Sequence, residues 1–259
     1  MHPFTQRSSH RSRRAFTLME LISVVAVSTV VVSLTASLLN IRSSGNLTSA
    51  AHTVAGVLER ARSHARTHNT YVWVGFYEEA ADAAVPTDTA PPYPGRGSLV
   101  ISAVASRDGT PIFQDDDAGA PLPADRITPI LPLTSLRHVH MSELAAPGAS
   151  GTETVEGRPD TAFTFNAASG EDGYNRISSD SALQARFPFA AQRYTFYKTV
   201  RFSPRGEASV TGKNGLYTMV PLVEIGLVPT HGNLLPAAGG DCSAIHITGI
   251  TGNVRVYRR

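Results

Sequence analysis

A long apolar segment near the N-terminus constrains this chain more than any other feature. Residues 16–39 contain one ionisable side chain, Glu20, among valine, leucine, serine and threonine. As an α-helix this segment would be roughly 36 Å long, while the hydrocarbon core of a bilayer is about 30 Å thick. The pattern therefore predicts a membrane-spanning helix. A carboxylate at the edge of hydrocarbon is costly, so Glu20 requires a specific explanation.

Charge is unevenly distributed along the 259 residues, whose formal net charge is +2. Arg7, Arg11, Arg13 and Arg14 lie in residues 1–15, which contain no acidic residue. Without these four arginines the chain has 19 basic and 21 acidic residues. The net positive charge therefore comes from the leader and is not an argument for nucleic-acid binding by the rest of the chain. The positive-inside rule predicts a single-pass membrane protein with a cytoplasmic N-terminus and the bulk of the chain outside.

Three kinds of N-terminal segment are compatible with this pattern. In an ordinary signal anchor, Glu20 would be tolerated near the membrane interface. A twin-arginine export signal is indicated locally by residues 12–16, which read Ser-Arg-Arg-Ala-Phe. Against it, the apolar run is long and no convincing small-x-small cleavage site follows it. The third kind is a prepilin leader.

Residues 16–22, which read Phe-Thr-Leu-Met-Glu-Leu-Ile after a short basic leader, resemble the type IV prepilin motif shared with type II secretion minor pseudopilins. The family usually has glycine where this chain has Ala15. The resemblance implies cleavage between Ala15 and Phe16 by prepilin peptidase, and N-methylation of the new Phe16 amine. It also implies that the Glu20 carboxylate forms an ion pair with the Phe16 amine of a neighbouring subunit. This ion pair would neutralise both charges and set the axial register of assembly.

Beyond the apolar segment, periodicity predicts a second helical stretch and then a β-rich region. Apolar residues recur at three- and four-residue steps between Leu47 and Ala65, as in an amphipathic helix. Residues 71–77 read Tyr-Val-Trp-Val-Gly-Phe-Tyr and indicate a buried strand. Residues 181–186 are predicted to form a short helix. Further strand candidates are residues 98–104, 137–142, 161–165, 194–203, 208–211, 219–227, 244–248 and 253–257.

The predicted fold class is α+β. It is a pilin-like fold in which a long N-terminal helix packs on an antiparallel β-sheet head with long loops. The expected domains are a leader (1–15), a transmembrane and assembly helix (16–39), an amphipathic extension (40–69) and a periplasmic head (70–259). The first eighty residues resemble H-type pseudopilins and their fimbrial-T relatives. Residues 202–206, residues 223–227 and the C-terminal strand look like those of the Verrucomicrobia pilin-like "cassette protein D" group.

No catalytic residue, cofactor or metal site is predicted. The pairs His64 with His68 and His138 with His140 lack a third ligand, and we expect them on the surface or half-buried. Residues 115–117 are three consecutive aspartates, which cannot all converge on one calcium ion, so a solvated loop is favoured. Residues 206–213 lack the glycine spacing of a phosphate-binding loop. The single Cys242 excludes an intramolecular disulfide.

The predicted function is that of a minor pilin or pseudopilin structural subunit of a type IV pilus or type II secretion filament, not an enzyme. Its expected partners are prepilin peptidase/methylase, other pilin subunits and inner-membrane lipid. The alternative is a monomeric, membrane-anchored periplasmic module that binds a protein substrate or DNA. Arg255, Arg258 and Arg259 make nucleic acid a candidate ligand, although a solvated C-terminus is the simpler interpretation.

Overall fold

The computed structural model describes residues 18–84, 86–112, 121–149, 154–159, 175–211, 217–235 and 240–259, with only the backbone for residues 32–44. The chain divides into two compact units, Met1–Arg42 and Ser43–Arg259. The leader, Ala15 and Phe16 lie outside the described residues, and so do the three consecutive aspartates and the strand candidate at 161–165.

Helix α1 spans Leu18–Thr67. In the second unit its buried stripe consists of residues spaced three or four apart, the period that keeps side chains on one helix face. The helix ends where Asn69 adopts a positive φ of 49° and the Thr70 amide donates to the Ala65 carbonyl at 3.0 Å, the bond of a Schellman-type stop. The fully buried members of the stripe are Leu47, Ala51, Val54, Leu58, Ala61 and Ala65.

The described residues also form twelve strands. They are β1 Val72–Ala80, β2 Gly97–Ser106, β3 Ile127–Ser142, β4 Arg176–Ile177, β5 Phe189–Ala191, β6 Tyr194–Phe196, β7 Lys198–Phe202, β8 Ala208–Thr211, β9 Tyr217–Met219, β10 Leu222–Pro229, β11 Ser243–Thr248 and β12 Val254–Arg258. Ten of them form one sheet in the order β12-β11-β10-β3-β2-β1-β7-β8-β9, with β4 paired to β10. The β4–β10 pair is parallel and the other pairs are antiparallel, while β5 and β6 form a separate hairpin.

Strand β1 contributes to two hydrophobic clusters because successive side chains of a strand point to opposite faces. Val72, Val74 and Phe76 pack in the cluster that contains the buried stripe of α1. Trp73 and Tyr77 pack in an aromatic cluster with residues of the β5–β6 hairpin. Both faces of β1 are therefore covered, which explains why its sequence is almost continuously apolar.

Gly75 allows the β5–β6 hairpin to approach β1 closely. A Cβ atom at this position would lie 2.5 Å from the Cβ of Phe196 and 2.6 Å from the Cζ of Phe189. Such separations are much shorter than van der Waals contact, so a larger residue would displace the hairpin. The stacked rings of Phe189 and Phe196, whose centroids are 4.9 Å apart, occupy that space instead.

The predicted fold class, a long N-terminal helix packed on a sheet, is wrong: the described structure is mostly antiparallel β-sheet. Among the α1 residues whose side chains the structure describes, those in the buried core of the second unit begin at Leu47. The rest of that core comes from strands, several of which are buried on both faces, and β2 is buried along its whole length. The predicted strands at 71–77, 98–104, 208–211 and 244–248 are confirmed, whereas residues 181–186 are not helical.

The predicted membrane-spanning helix is also wrong, and with it the single-pass inner-membrane localisation. In the part of the chain that the structure describes, no helix combines the length and the apolar character needed to cross a membrane.

Candidate functional site

The first described turns of α1 expose an apolar surface. We call Leu18–Val31 the apolar helix segment; all of its residues are exposed. A soluble protein rarely displays so many large apolar side chains together unless they contact another molecule. The large hydrophobic residues are between 52% and 79% exposed, and they are Leu18, Met19, Leu21, Ile22, Val24, Val25, Val27, Val30 and Val31.

The hydroxyl groups of this segment are satisfied within the helix itself. Ser23 donates to the Met19 carbonyl at 2.7 Å, and Ser28 donates to the Val24 carbonyl at 2.7 Å. Thr29 donates to the Ala26 carbonyl at 2.8 Å. These three hydroxyls therefore need no water or external acceptor, so covering them with apolar groups would not leave unpaired donors.

Glu20 lies in the first turn of α1 and is exposed. An acidic side chain at this position interacts favourably with the positive end of the helix dipole, by typically 0.3–1 kcal/mol. This contribution favours an acidic residue at the start of the helix. Because Ala15 and Phe16 lie outside the described residues, the cleavage site and the pairing of Glu20 with the Phe16 amine stay predictions.

A cluster of ionisable side chains with Glu78 and His140 buried at its centre, which the sequence did not indicate, connects β1 to β3. The His140 Nδ1 atom lies 3.0 Å from both carboxylate oxygens of Glu78, and its Nε2 lies 3.1 Å from Asp180 Oδ2. The Arg96 guanidinium donates to the other Asp180 oxygen at 2.9 Å. We call these four residues the His140 cluster. The prediction that His140 is surface-exposed or half-buried is wrong, because its side chain is 0% exposed.

The carboxylates of the His140 cluster favour the charged imidazolium. Burial alone would lower the pKa of His140, but Glu78 and then Asp180 hold that pKa above its usual 6.5. Burial likewise opposes ionisation of Asp180, yet Arg96 and His140 hold the pKa of Asp180 below its usual value. Glu78 also accepts the Gly97 amide at 3.0 Å and the Met141 amide at 3.2 Å. The cluster joins β1, β2 and β3, and its buried Glu78 and His140 are inaccessible to a substrate.

A β-bulge separates His138 from His140. Val139 pairs with Gly97 and Arg137 pairs with Ser98, which leaves His138 as the extra residue, with a positive φ of 64°. An extra residue in one strand breaks the alternation of faces. His138 is therefore exposed while His140 is buried, and the two side chains do not share a site.

A second buried charged group lies around Glu224 on β10. The Arg158 Nε donates to Glu224 Oε2 at 2.9 Å, and the His246 Nε2 lies 2.7 Å from the same oxygen. Arg158 also donates to the Ala145 carbonyl at 2.6 Å. We call Arg158, Glu224 and His246 the Glu224 cluster; their side chains are 1%, 1% and 3% exposed. It ties the 154–159 segment to β10 and β11.

The buried amine of Lys198 is held by backbone carbonyls. Lys198 donates to the Ser181 carbonyl at 2.6 Å and to the Leu183 carbonyl. Burial lowers the pKa of Lys198 to about 8, although Glu143 and Asp180 oppose that shift. The adjoining cavity has a volume of about 20 Å³, which is room for roughly one water molecule. The geometry therefore indicates a structural role for this lysine.

The remaining candidate residues do not converge on a site. The rings of His64 and His68 stack at 4.0 Å, and burial followed by the proximity of His68 lowers the pKa of His64. Across the described ranges, no group of three or more His, Cys, Asp or Glu side chains could hold a metal ion. Arg255, Arg258 and Arg259 are exposed at the edge strand β12. Their interaction with nucleic acid stays a prediction.

Comparison with known proteins does not test the prepilin resemblance, which depends on the sequence motif alone. That resemblance depends on residues 13–22, of which only Leu18 onward is described. The exposed apolar helix segment is the described feature from which function is argued. No protein-family model, curated protein or solved structure matches this chain.

Proposed function

We propose that this chain is a structural subunit of the minor pilin or pseudopilin kind, cleaved between Ala15 and Phe16 and assembled into a filament through its N-terminal helix. The exposed apolar helix segment is the observation that supports this proposal. Burying a large apolar side chain fully is worth roughly 1.5–3 kcal/mol relative to leaving it exposed. Nine such side chains on one segment strongly favour association with an apolar partner.

Helices of other subunits are the partners that fit this segment. Ser23, Ser28 and Thr29 bond to their own helix backbone, so a neighbouring helix can cover them without supplying acceptors. Cleavage would place a cationic amine on Phe16, about one helical turn before Glu20. In a staggered bundle the Phe16 amine of one subunit pairs with Glu20 of the next, which keeps both charges partnered away from water.

The mature N-terminus tests this proposal. The full chain is co-expressed with a prepilin peptidase/methylase and its N-terminal peptide is identified by mass spectrometry. We expect residues 1–15 to be removed and Phe16 to carry an N-methyl group. Co-expression with a catalytically inactive peptidase is the control and should leave the leader intact.

Crosslinking distinguishes the filament subunit from a monomeric binding module. The processed chain should crosslink to other subunits, and Glu20→Ala should lower the yield while leaving the mature N-terminus unchanged. An intact leader in the presence of active peptidase would contradict the proposal, as would a processed chain that forms no crosslinks. A monomeric module that binds a protein substrate or DNA is the function that such results would favour.

A further inference from the structure

An open cavity of about 670 Å³ lies where the C-terminal end of α1 meets the turn between β7 and β8. Three arginines line it: Arg62 and Arg66 from consecutive turns of α1, and Arg205 from the β7–β8 turn. Ser63 and Thr67 add hydroxyl groups, and Glu59 is the one acidic residue among the described residues that line it. We call this cavity the arginine groove.

Two glycines leave room for the arginine side chains. Gly206 has a φ of 86°, and a Cβ atom there would lie 2.7 Å from the Cδ of Arg66. Gly252 has a φ of 64°, and a Cβ atom there would lie 3.1 Å from the Cδ of Arg62. The aliphatic parts of both arginines therefore occupy space that any other residue at these positions would fill.

The charges of the groove are not balanced within the fold. Both oxygens of the Glu59 carboxylate have partners within the fold: Arg62 Nη1 lies 3.3 Å from Oε2, and the Val254 amide donates to Oε1 at 3.1 Å. Arg66 and Arg205 are exposed, and among the described residues neither forms an ion pair. Two guanidinium groups in one groove thus remain available to an anion.

The helix dipole explains only part of this arrangement. A cation in the last turn of a helix is stabilised by typically 0.3–1 kcal/mol, which accounts for Arg66. Arg205 belongs to a separate element, the β7–β8 turn, and lines the same groove. The convergence of arginines from two separate elements therefore points to a ligand.

We propose that the arginine groove binds a phosphate-type oxyanion, either free or as part of a nucleic-acid backbone. Guanidinium groups present planar pairs of N–H donors that match the oxygens of such anions and remain charged at all physiological pH values. The hydroxyls of Ser63 and Thr67 supply further donors. The proposal concerns the Ser43–Arg259 unit and does not depend on assembly through the apolar helix segment.

Calorimetric titration of the full chain with inorganic phosphate, at low and constant ionic strength, tests the site. The test variant is Arg66→Gln/Arg205→Gln, which changes two exposed side chains and should retain the fold. Because a hydrogen bond to a charged group contributes about 1.5–3 kcal/mol, removing both arginines should weaken binding by at least about 10-fold. Arg60→Gln is the matched control: Arg60 is exposed on the same helix but does not line the groove. It should change the Kd by less than about 2-fold.

A second titration identifies the source of the oxyanion. A single-stranded oligodeoxynucleotide of about 12 nucleotides, long enough to cover a typical binding site, is added with and without excess phosphate. Oligonucleotide binding that phosphate displaces assigns the groove to a backbone phosphate, and binding of phosphate alone assigns it to a free oxyanion. Absence of binding by both probes would overturn the proposal, and so would an equal loss of affinity in Arg60→Gln. An unchanged urea unfolding midpoint verifies that each variant is folded.

Discussion

The two compact units place charged and apolar side chains in opposite ways. The Ser43–Arg259 unit buries ionisable residues, including Glu78, His140 and Glu224. The described part of the Met1–Arg42 unit exposes large apolar residues along one helix. Buried charges are tolerable only when other groups of the fold pair with them, whereas exposed apolar groups are stabilised by covering them. Substitutions in the sheet of the Ser43–Arg259 unit should therefore lower the free energy of unfolding most. Substitutions in the apolar helix segment should mainly weaken association with other molecules.

The largest expected effect on stability comes from Arg158→Met, which leaves the buried Glu224 carboxylate without its cation. Removing one partner of a buried ion pair typically costs about 3–5 kcal/mol. We expect a loss of that order in the free energy of unfolding, measured by urea denaturation at constant pH. The control is Arg158→Met/Glu224→Gln, which also removes the unpaired charge of Glu224 and should recover part of the lost free energy of unfolding. Equal stability of wild type and Arg158→Met would show that the buried pair contributes nothing.

A matched pair of substitutions in α1 compares its buried and exposed parts directly. Leu58 is fully buried in the core, and Leu58→Ala should lower the free energy of unfolding by about 2–5 kcal/mol. Val27 is 63% exposed, and Val27→Ala should change it by less than about 0.5 kcal/mol. Thermal and urea unfolding of the full chain measure both. A comparable loss at Val27 would mean that the apolar helix segment is buried within the folded monomer, which would break the contrast between the two units.

The pH dependence of stability tests the His140 cluster and should give a smaller effect than the loss of Arg158 or of the Leu58 side chain. Because the pKa of His140 is raised in the folded state, its contribution is fully present below about pH 6.5 and is lost as the pH rises through the folded-state pKa. Wild type should therefore lose stability with rising pH in that window, by at most about 1.4 kcal/mol per pH unit for one proton. His140→Gln should remove this slope. Urea unfolding at several pH values above 6 measures it, and an identical slope in both proteins would rule out His140 as the titrating group.

Local patterns predicted individual elements better than their arrangement. The run at 71–77 predicted β1, and the three- and four-residue steps from Leu47 to Ala65 predicted the buried stripe of α1. The helix-on-sheet fold class was wrong because it extrapolated from the N-terminal pattern to the whole chain. The membrane-spanning helix was wrong because it was predicted from the apolar composition of residues 16–39 alone. The His140 cluster could not be predicted, since Glu78 is 62 residues from His140 and no local signal connects them.

The amino-acid sequence by itself determined the apolar helix segment, the positions of many strands and the prepilin-like motif. Each of these depends on neighbouring residues, whose periodicity or composition can be read directly along the chain. Only the tertiary structure decided which side chains meet: the β-bulge at His138 turns His140 inward, and Gly206 and Gly252 leave room for Arg66 and Arg62. Long-range pairing depends on sheet register and close packing, which no local pattern specifies.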